Sequence, residues 1–130
     1  STRPSAVRHR SLSEEATRVV RARVLNPRWL AGMRKHGYKG AFEMAATVDY
    51  LFGYDATTGV LDDWMYGAVA ESYLLNTENR TFLEEANPWA LHGMCERLME
   101  AVQRGLWENP DSRMLEQLTD LLLETEGSME

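Results

Sequence analysis

Three runs of polar residues have the types and spacing that could do chemistry. The first is His36-Gly37-Tyr38-Lys39-Gly40-Ala41-Phe42-Glu43. Gly37 can stop one helix and Gly40 permits close approach as the next begins, so a sharp corner would project His36, Tyr38 and Lys39 together, with Glu43 one turn on. Such a corner can face a substrate or a neighbouring domain, or it can simply join two helices. The second is Asp49-Tyr50-Leu51-Phe52-Gly53-Tyr54-Asp55. Asp49 falls one residue from an apolar stripe and is expected to be partly buried, paired with an arginine of the first helix. It would then be a structural ion pair, or a proton-transfer or metal-binding carboxylate. The third is Asp62-Asp63. Adjacent carboxylates can attract a divalent cation, but acids at a helix start are also stabilised by the free amides there. His36, Tyr38, Glu43 and Asp49 are therefore the candidate catalytic residues.

Other chemistry is thinner. His9, His36 and His92 are too scattered for a metal motif. The single cysteine, Cys95, cannot make an internal disulfide, and its place on an apolar stripe suits a small core residue. There is no Gly-rich phosphate loop and no nucleophile elbow, so ATP is not expected on this chain. Trp29, Trp64, Trp89, Trp107 and the five tyrosines could pack against a flat macrocycle, or serve as helix-corner and core anchors.

The elements that must hold these groups are helices. Amphipathic spacing runs through most of the 130 residues, and no sustained strand alternation is bounded by hairpin turns. Residues 1–11 read as a flexible basic lead-in, and residues 12–130 as a single all-α bundle of six or seven short, antiparallel-leaning helices. Ser11 and Glu14 have capping-box spacing. The pairs Asn26-Pro27, Asn87-Pro88 and Asn109-Pro110 each place a good N-cap before a proline at the first helical position. Helix two is expected from Pro27 to about His36. Helix three should run from Lys39 to Phe52, with Phe42, Ala45, Val48 and Phe52 inward, Gly53 at its end and a turn over Asp55–Gly59. Asp62 and Thr77 should cap the next two helices. Helix six, from Pro88 to about Gly105, carries Leu91, Met94, Cys95, Leu98, Val102 and Leu106 on one stripe. A last helix begins at Pro110.

Composition and charge narrow the partners. With 44% hydrophobic and 26% charged residues the chain reads as soluble and globular, and no apolar run suits a membrane span. A cytoplasmic setting follows as the default. Residues 1–40 hold ten Arg and Lys against Glu14 and Glu15, whereas residues 41–130 hold four Arg against eighteen acids. The acidic remainder would repel phosphates, so nucleic acid is not an expected partner. Arg18, Arg21 and Arg23 on the first helix are the candidate docking residues for an acidic partner, which leaves room for a non-enzymatic docking module. The chain opens without Met, as expected of one processed or excised from something longer.

The residues also carry a resemblance. Asn26-Pro27-Arg28-Trp29 with Met33 and His36–Glu43, then Tyr54–Trp64, then Asn87-Pro88-Trp89-Ala90 with Arg97–Ala101 and Arg104–Trp107, look like the C-terminal region of the large subunit of class I tetrapyrrole metal chelatases. The resemblance covers about residues 12 to 126. The block Ala45–Asp55 is similar to the cobalt branch, the CobN type, more than to the magnesium branch that acts on protoporphyrin IX. The resemblance implies a ligase that inserts cobalt into hydrogenobyrinic acid a,c-diamide in aerobic cobalamin synthesis. Metal and tetrapyrrole would be its substrates, and separate AAA+ subunits would hydrolyse ATP. It also implies that most of the cavity comes from sequence outside this chain. The expected partners are then the remaining large-subunit domains, and no established catalytic residue carries over.

Overall fold

Asn26 opens the helical array in the manner its sequence dictates. Its Oδ1 accepts the N–H groups of Arg28 at 2.8 Å and Trp29 at 3.4 Å, and Pro27 fills the first helical position. Asn87 repeats the device on the Trp89 N–H at 3.2 Å. The computed structural model describes residues 14–15, 17–58 and 61–128. The basic lead-in, His9, the Ser11 side of the capping box and Gly59 lie outside these.

Among the described residues there are seven helices and no strand. Helical residues 17–19 run into the π-helical turn Val20–Val24, together α1. Then follow α2 (Pro27–Lys35), α3 (Tyr38–Thr58) and α4 (Asp63–Val69), which continues as the π-helical turn Ala70–Leu75. After it come α5 (Thr77–Ala86), α6 (Pro88–Gln103) and α7 (Ser112–Ser128). The fold class read from periodicity is the one observed.

One core joins all seven. Met44, Met65, Tyr66, Tyr73, Leu83, Leu98 and Leu118 are fully buried in it. α6 packs against α3, α5 and α7, and α3 packs against α2. The Tyr73 hydroxyl donates to the Val24 carbonyl at 2.5 Å, so the π turn after α4 closes the C-terminal end of α1. Burial pushes the Tyr73 phenol far up, and it stays a neutral donor.

Several boundaries differ from expectation for identifiable reasons. α3 does not stop at Gly53 but runs to Thr58. The Thr57 and Thr58 hydroxyls bond back to the Gly53 and Tyr54 carbonyls, and Asp55, expected in a turn, is buried. The inner face of α3 is Ala41, Met44, Val48, Leu51, Phe52 and Asp55, while Phe42 points outward at 60% exposure. Asp62 holds the N-cap backbone position of α4 without a side-chain cap bond. Asp63 instead accepts the N–H groups of Glu108 at 2.5 Å and Asn109 at 3.3 Å, tying the α6–α7 loop to α4. Asn76 rather than Thr77 caps α5, accepting the Asn79 N–H at 3.1 Å. The last helix starts two residues after Pro110, because Asp111 accepts the Arg113 N–H at 2.8 Å and so becomes the cap.

Candidate functional site: two grooves flanking an exposed aromatic ridge

The corner between α2 and α3 is built by its glycines. Gly37 adopts φ +63°, the left-handed conformation that turns the chain after Lys35. Gly40 lies against the backbone of Met33 so closely that a Cβ would sit 1.9 Å from that carbonyl oxygen. The two helices are thus in backbone contact, and His36, Tyr38, Lys39, Phe42 and Glu43 are all turned outward. The His36 N–H donates to the Gly32 and Met33 carbonyls, which fixes its backbone. The sequence-predicted corner therefore exists, and it displays its polar groups to the outside without bonding them into a constellation.

From this corner α3 carries an outward ridge. Phe42, Ala46 and Tyr50 recur every four residues along it, with the two aromatic rings open to solvent. A groove of about 330 Å³ lies on one side, between α3 and α6. Phe42, Ala45 and Val48 face Trp89, Ala90, Gly93 and Met94 across it, with Trp89 68% exposed at its mouth. Arg97 closes one end, its Nε donating to Asp49 Oδ1 at 2.6 Å and its Nη1 approaching Glu100 Oε2 at 3.4 Å. That hydrogen bond, with the nearby carboxylate charges, holds the guanidinium even above its ordinary range. Asp49 is thus paired, but with α6 rather than with α1, and it is exposed rather than half-buried. On the other side a larger groove of about 580 Å³ separates α3 from α1, with Glu15, Arg18, Val19, Ala22 and Arg23 opposite Ala46, Thr47 and Tyr50. Arg21 takes a different direction and lies over the Trp64 ring, 5.6 Å from its centroid.

The remaining candidates are structural. Burial pushes the Cys95 thiol up to about 12, and the side chain is sealed in the core, so it is no nucleophile at neutral pH. His92 lies between Thr125 Oγ1 at 2.9 Å and Glu96 Oε1 at 3.4 Å, bridging α6 to α7. Among the described residues no group of three or more His, Cys, Asp or Glu side chains is placed to hold a metal ion. Trp107 packs inside, stacked on Tyr66 at 6.3 Å. Phe42 as an outward residue and Arg97 are groove residues that the sequence did not mark as such, whereas Trp89, one of the tryptophans read as able to pack on a macrocycle or to anchor a corner, stands at the groove mouth. A signal existed for Trp89, which sits one residue after Pro88 and off the Leu91–Met94–Leu98 stripe.

The arrangement can bind apolar and aromatic surface under a cationic rim. Residues 1–114 match the model of the family described as CobN/Magnesium Chelatase, a stretch that includes both grooves. The chain belongs to the CobN/magnesium chelatase family. It is 54% identical over 125 residues to the aerobic cobaltochelatase subunit CobN of Pseudomonas aeruginosa, covering 96% of this chain and 10% of that protein. It is 41% identical over 110 residues to the H-type magnesium-chelatase protein of Chlorobaculum parvum, covering 85% of this chain and 9% of that one. A solved structure, the catalytic subunit of cobaltochelatase from Mycobacterium tuberculosis, superposes with a TM-score of 0.86 at 68% identity. The match covers 89% of this chain and 10% of that one. The chain thus spans about a tenth of the length of these family members. No described helix is long and apolar enough to cross a membrane.

Proposed function

We propose that this chain is a segment of a cobaltochelatase large subunit, which inserts Co2+ into a corrin precursor of the hydrogenobyrinic acid a,c-diamide kind in aerobic cobalamin synthesis. One observation carries the reading: identity to a CobN cobaltochelatase is 54% across 96% of the chain, against 41% across 85% for the Chlorobaculum magnesium chelatase. ATP is hydrolysed by separate AAA+ subunits, and the setting is the cytoplasm, where a lone buried thiol is at home.

Metal insertion requires the pyrrole protons to leave, the cation to lose its water and the ring to bend within a dry cavity. The reading gives this segment the task of completing and bracing such a cavity. His36, Tyr38 and Glu43 stand at one corner, turned outward, and are the groups available to face it. Asp49 serves differently, holding α3 to α6 through Arg97. The test is cobalt insertion by the reconstituted enzyme with the large subunit carrying His36→Ala, Tyr38→Phe or Glu43→Gln. A fall of about tenfold or more in any of them, corresponding to ~1.4 kcal/mol of barrier, supports a place at the cavity. Unchanged cobalt insertion after deletion of the whole segment overturns the reading. Insertion of Mg2+ into protoporphyrin IX in place of cobalt would move the chain to the other branch.

A further inference from the structure

The groove between α1 and α3 has a composition that the proposed metal chemistry does not use. Residues 17–40 carry seven cations (Arg18, Arg21, Arg23, Arg28, Arg34, Lys35 and Lys39) and no acid. Of these, Arg34 pairs with Glu78 at 3.0 Å and Arg21 covers Trp64. Arg18 and Arg23 do neither. They are exposed, stand on the groove rim, and have no ion pair with any described residue. Below them the wall is apolar: Val19 and Ala22 from α1, Ala46 and the ring of Tyr50 from α3. Tyr50 is 71% exposed and stacks on Tyr54 at 6.4 Å. One acid, Glu15, lines the same groove against the two arginines, so the rim stays net cationic beside an aromatic surface open to water, which matches the anatomy of an interface whose other half is missing.

We propose that this groove docks an acidic amphipathic helix from another domain of the same large subunit. The inference rests on the reading that the chain is part of such a subunit. Two features define the occupant. The cationic rim selects carboxylates, and arginine suits them because its fork can take two oxygens at once. The apolar wall selects an aliphatic ridge between those carboxylates, which a helix supplies with acids and aliphatics on adjoining faces. The volume, about 580 Å³, suits a few side chains of one helix rather than a whole folded face. A polyphosphate is the weaker fit. It would leave the apolar wall wet, and residues 41–130 present eighteen acids against four arginines to repel it.

The experiment uses the full-length large subunit and reads docking, not activity. Hydroxyl-radical footprinting follows the labelling of Tyr50, with exposed Leu123 on α7 as the internal reference. In the wild type, Tyr50 should label at least about fivefold more slowly than in the Arg18→Glu/Arg23→Glu variant, and protection should fall as salt rises. Equal labelling of wild type and variant at low salt overturns the proposal. A second variant, Arg18→Lys/Arg23→Lys, keeps the charge and supplies amines for carbodiimide coupling. It should cross-link to an Asp or Glu outside these 130 residues in the same molecule. Cross-links confined to this segment, links between two copies, or protection that disappears on nuclease treatment or on removal of anionic vesicles each overturn it. Cobalt insertion measured on the same preparations separates the two ideas. Free Tyr50 with normal insertion sinks the docking alone, and protected Tyr50 without cobalt insertion sinks the chelatase reading alone.

Discussion

Asp55 ends its stretch of α3 with both carboxylate oxygens engaged. The Leu61 N–H donates to Oδ1 at 2.5 Å and the Tyr66 hydroxyl donates to Oδ2, all of it in the buried core. Hydrogen bonds to a charged acceptor are worth ~1.5–3 kcal/mol each, and an orphaned buried donor costs ~1–3 kcal/mol. Asp55→Ala is therefore expected to lower unfolding stability by about 3 kcal/mol, and Tyr66→Phe by about 2 kcal/mol. Urea melts of the three proteins would check this, and a loss below ~1 kcal/mol for Asp55→Ala would show that the carboxylate is dispensable. By contrast Asp49→Ala removes an exposed pair with Arg97, which is worth ~0–1 kcal/mol in water. The sequence alone ranks these two acids the other way round. Its periodicity places the buried face at Phe42, Ala45, Val48 and Phe52, whereas the actual row is Ala41, Met44, Val48, Leu51, Phe52 and Asp55, which keeps Val48 and Phe52 and turns Phe42 out. One residue along a helix is a turn of about 100°, so this small rotation puts Asp55 in the core and Asp49 on the rim. The rotation goes with the backbone approach of Gly40 to Met33, a tertiary contact that periodicity does not contain.

At the scale of elements, the helix starts are the most legible feature, and where they fail a stronger local competitor is present. Asn26 and Asn87 cap as their Asn-Pro pairs announce. Asn109-Pro110 does not, because Asp111 two residues on takes the cap and its carbonyl accepts the Leu115 N–H at 2.9 Å. Gly53 reads as a stop for α3, but it lies on the exposed side, where a glycine costs only ~1 kcal/mol. What carries the helix past it is Asp55, buried and holding the Leu61 N–H and the Tyr66 hydroxyl. These assignments separate cleanly by mutation. Asn26→Ala and Asn87→Ala should each cost about 1 kcal/mol, while Asp62→Ala, which removes no cap bond, should stay within ~0.5 kcal/mol. Gly40→Ala should be far worse, since the added carbon meets main chain that cannot move aside without parting α2 from α3. Thermal unfolding of the four variants would report the order, and a Gly40→Ala protein as stable as wild type would refute the close approach.

Taken as a whole molecule, the chain divides its charge strongly along the sequence yet spends little of it on folding. The ion pairs between described residues run from Arg34–Glu78 to Arg104–Glu100, and every acid and arginine in them is at least partly exposed. Pairs of that kind contribute ~0–1 kcal/mol and are screened by salt. The core is another matter: Leu118 is fully buried in it from α7, and truncating such a residue costs ~2–5 kcal/mol. Unfolding stability should accordingly shift by less than about 1 kcal/mol between roughly 0.05 and 0.5 M salt, whereas Leu118→Ala should remove about 3 kcal/mol at either concentration. Denaturant titrations at the two salt levels would decide it. A large salt-dependent change would mean that the basic first helices and the acidic remainder hold each other together within the chain, and Arg18 and Arg23 would then be spoken for. Salt-independent folding leaves their charge with a task outside the segment. The polarity is plain in the composition, but its direction is not, because only the folded chain shows which arginines find partners inside it and which are left at the edge of an open groove.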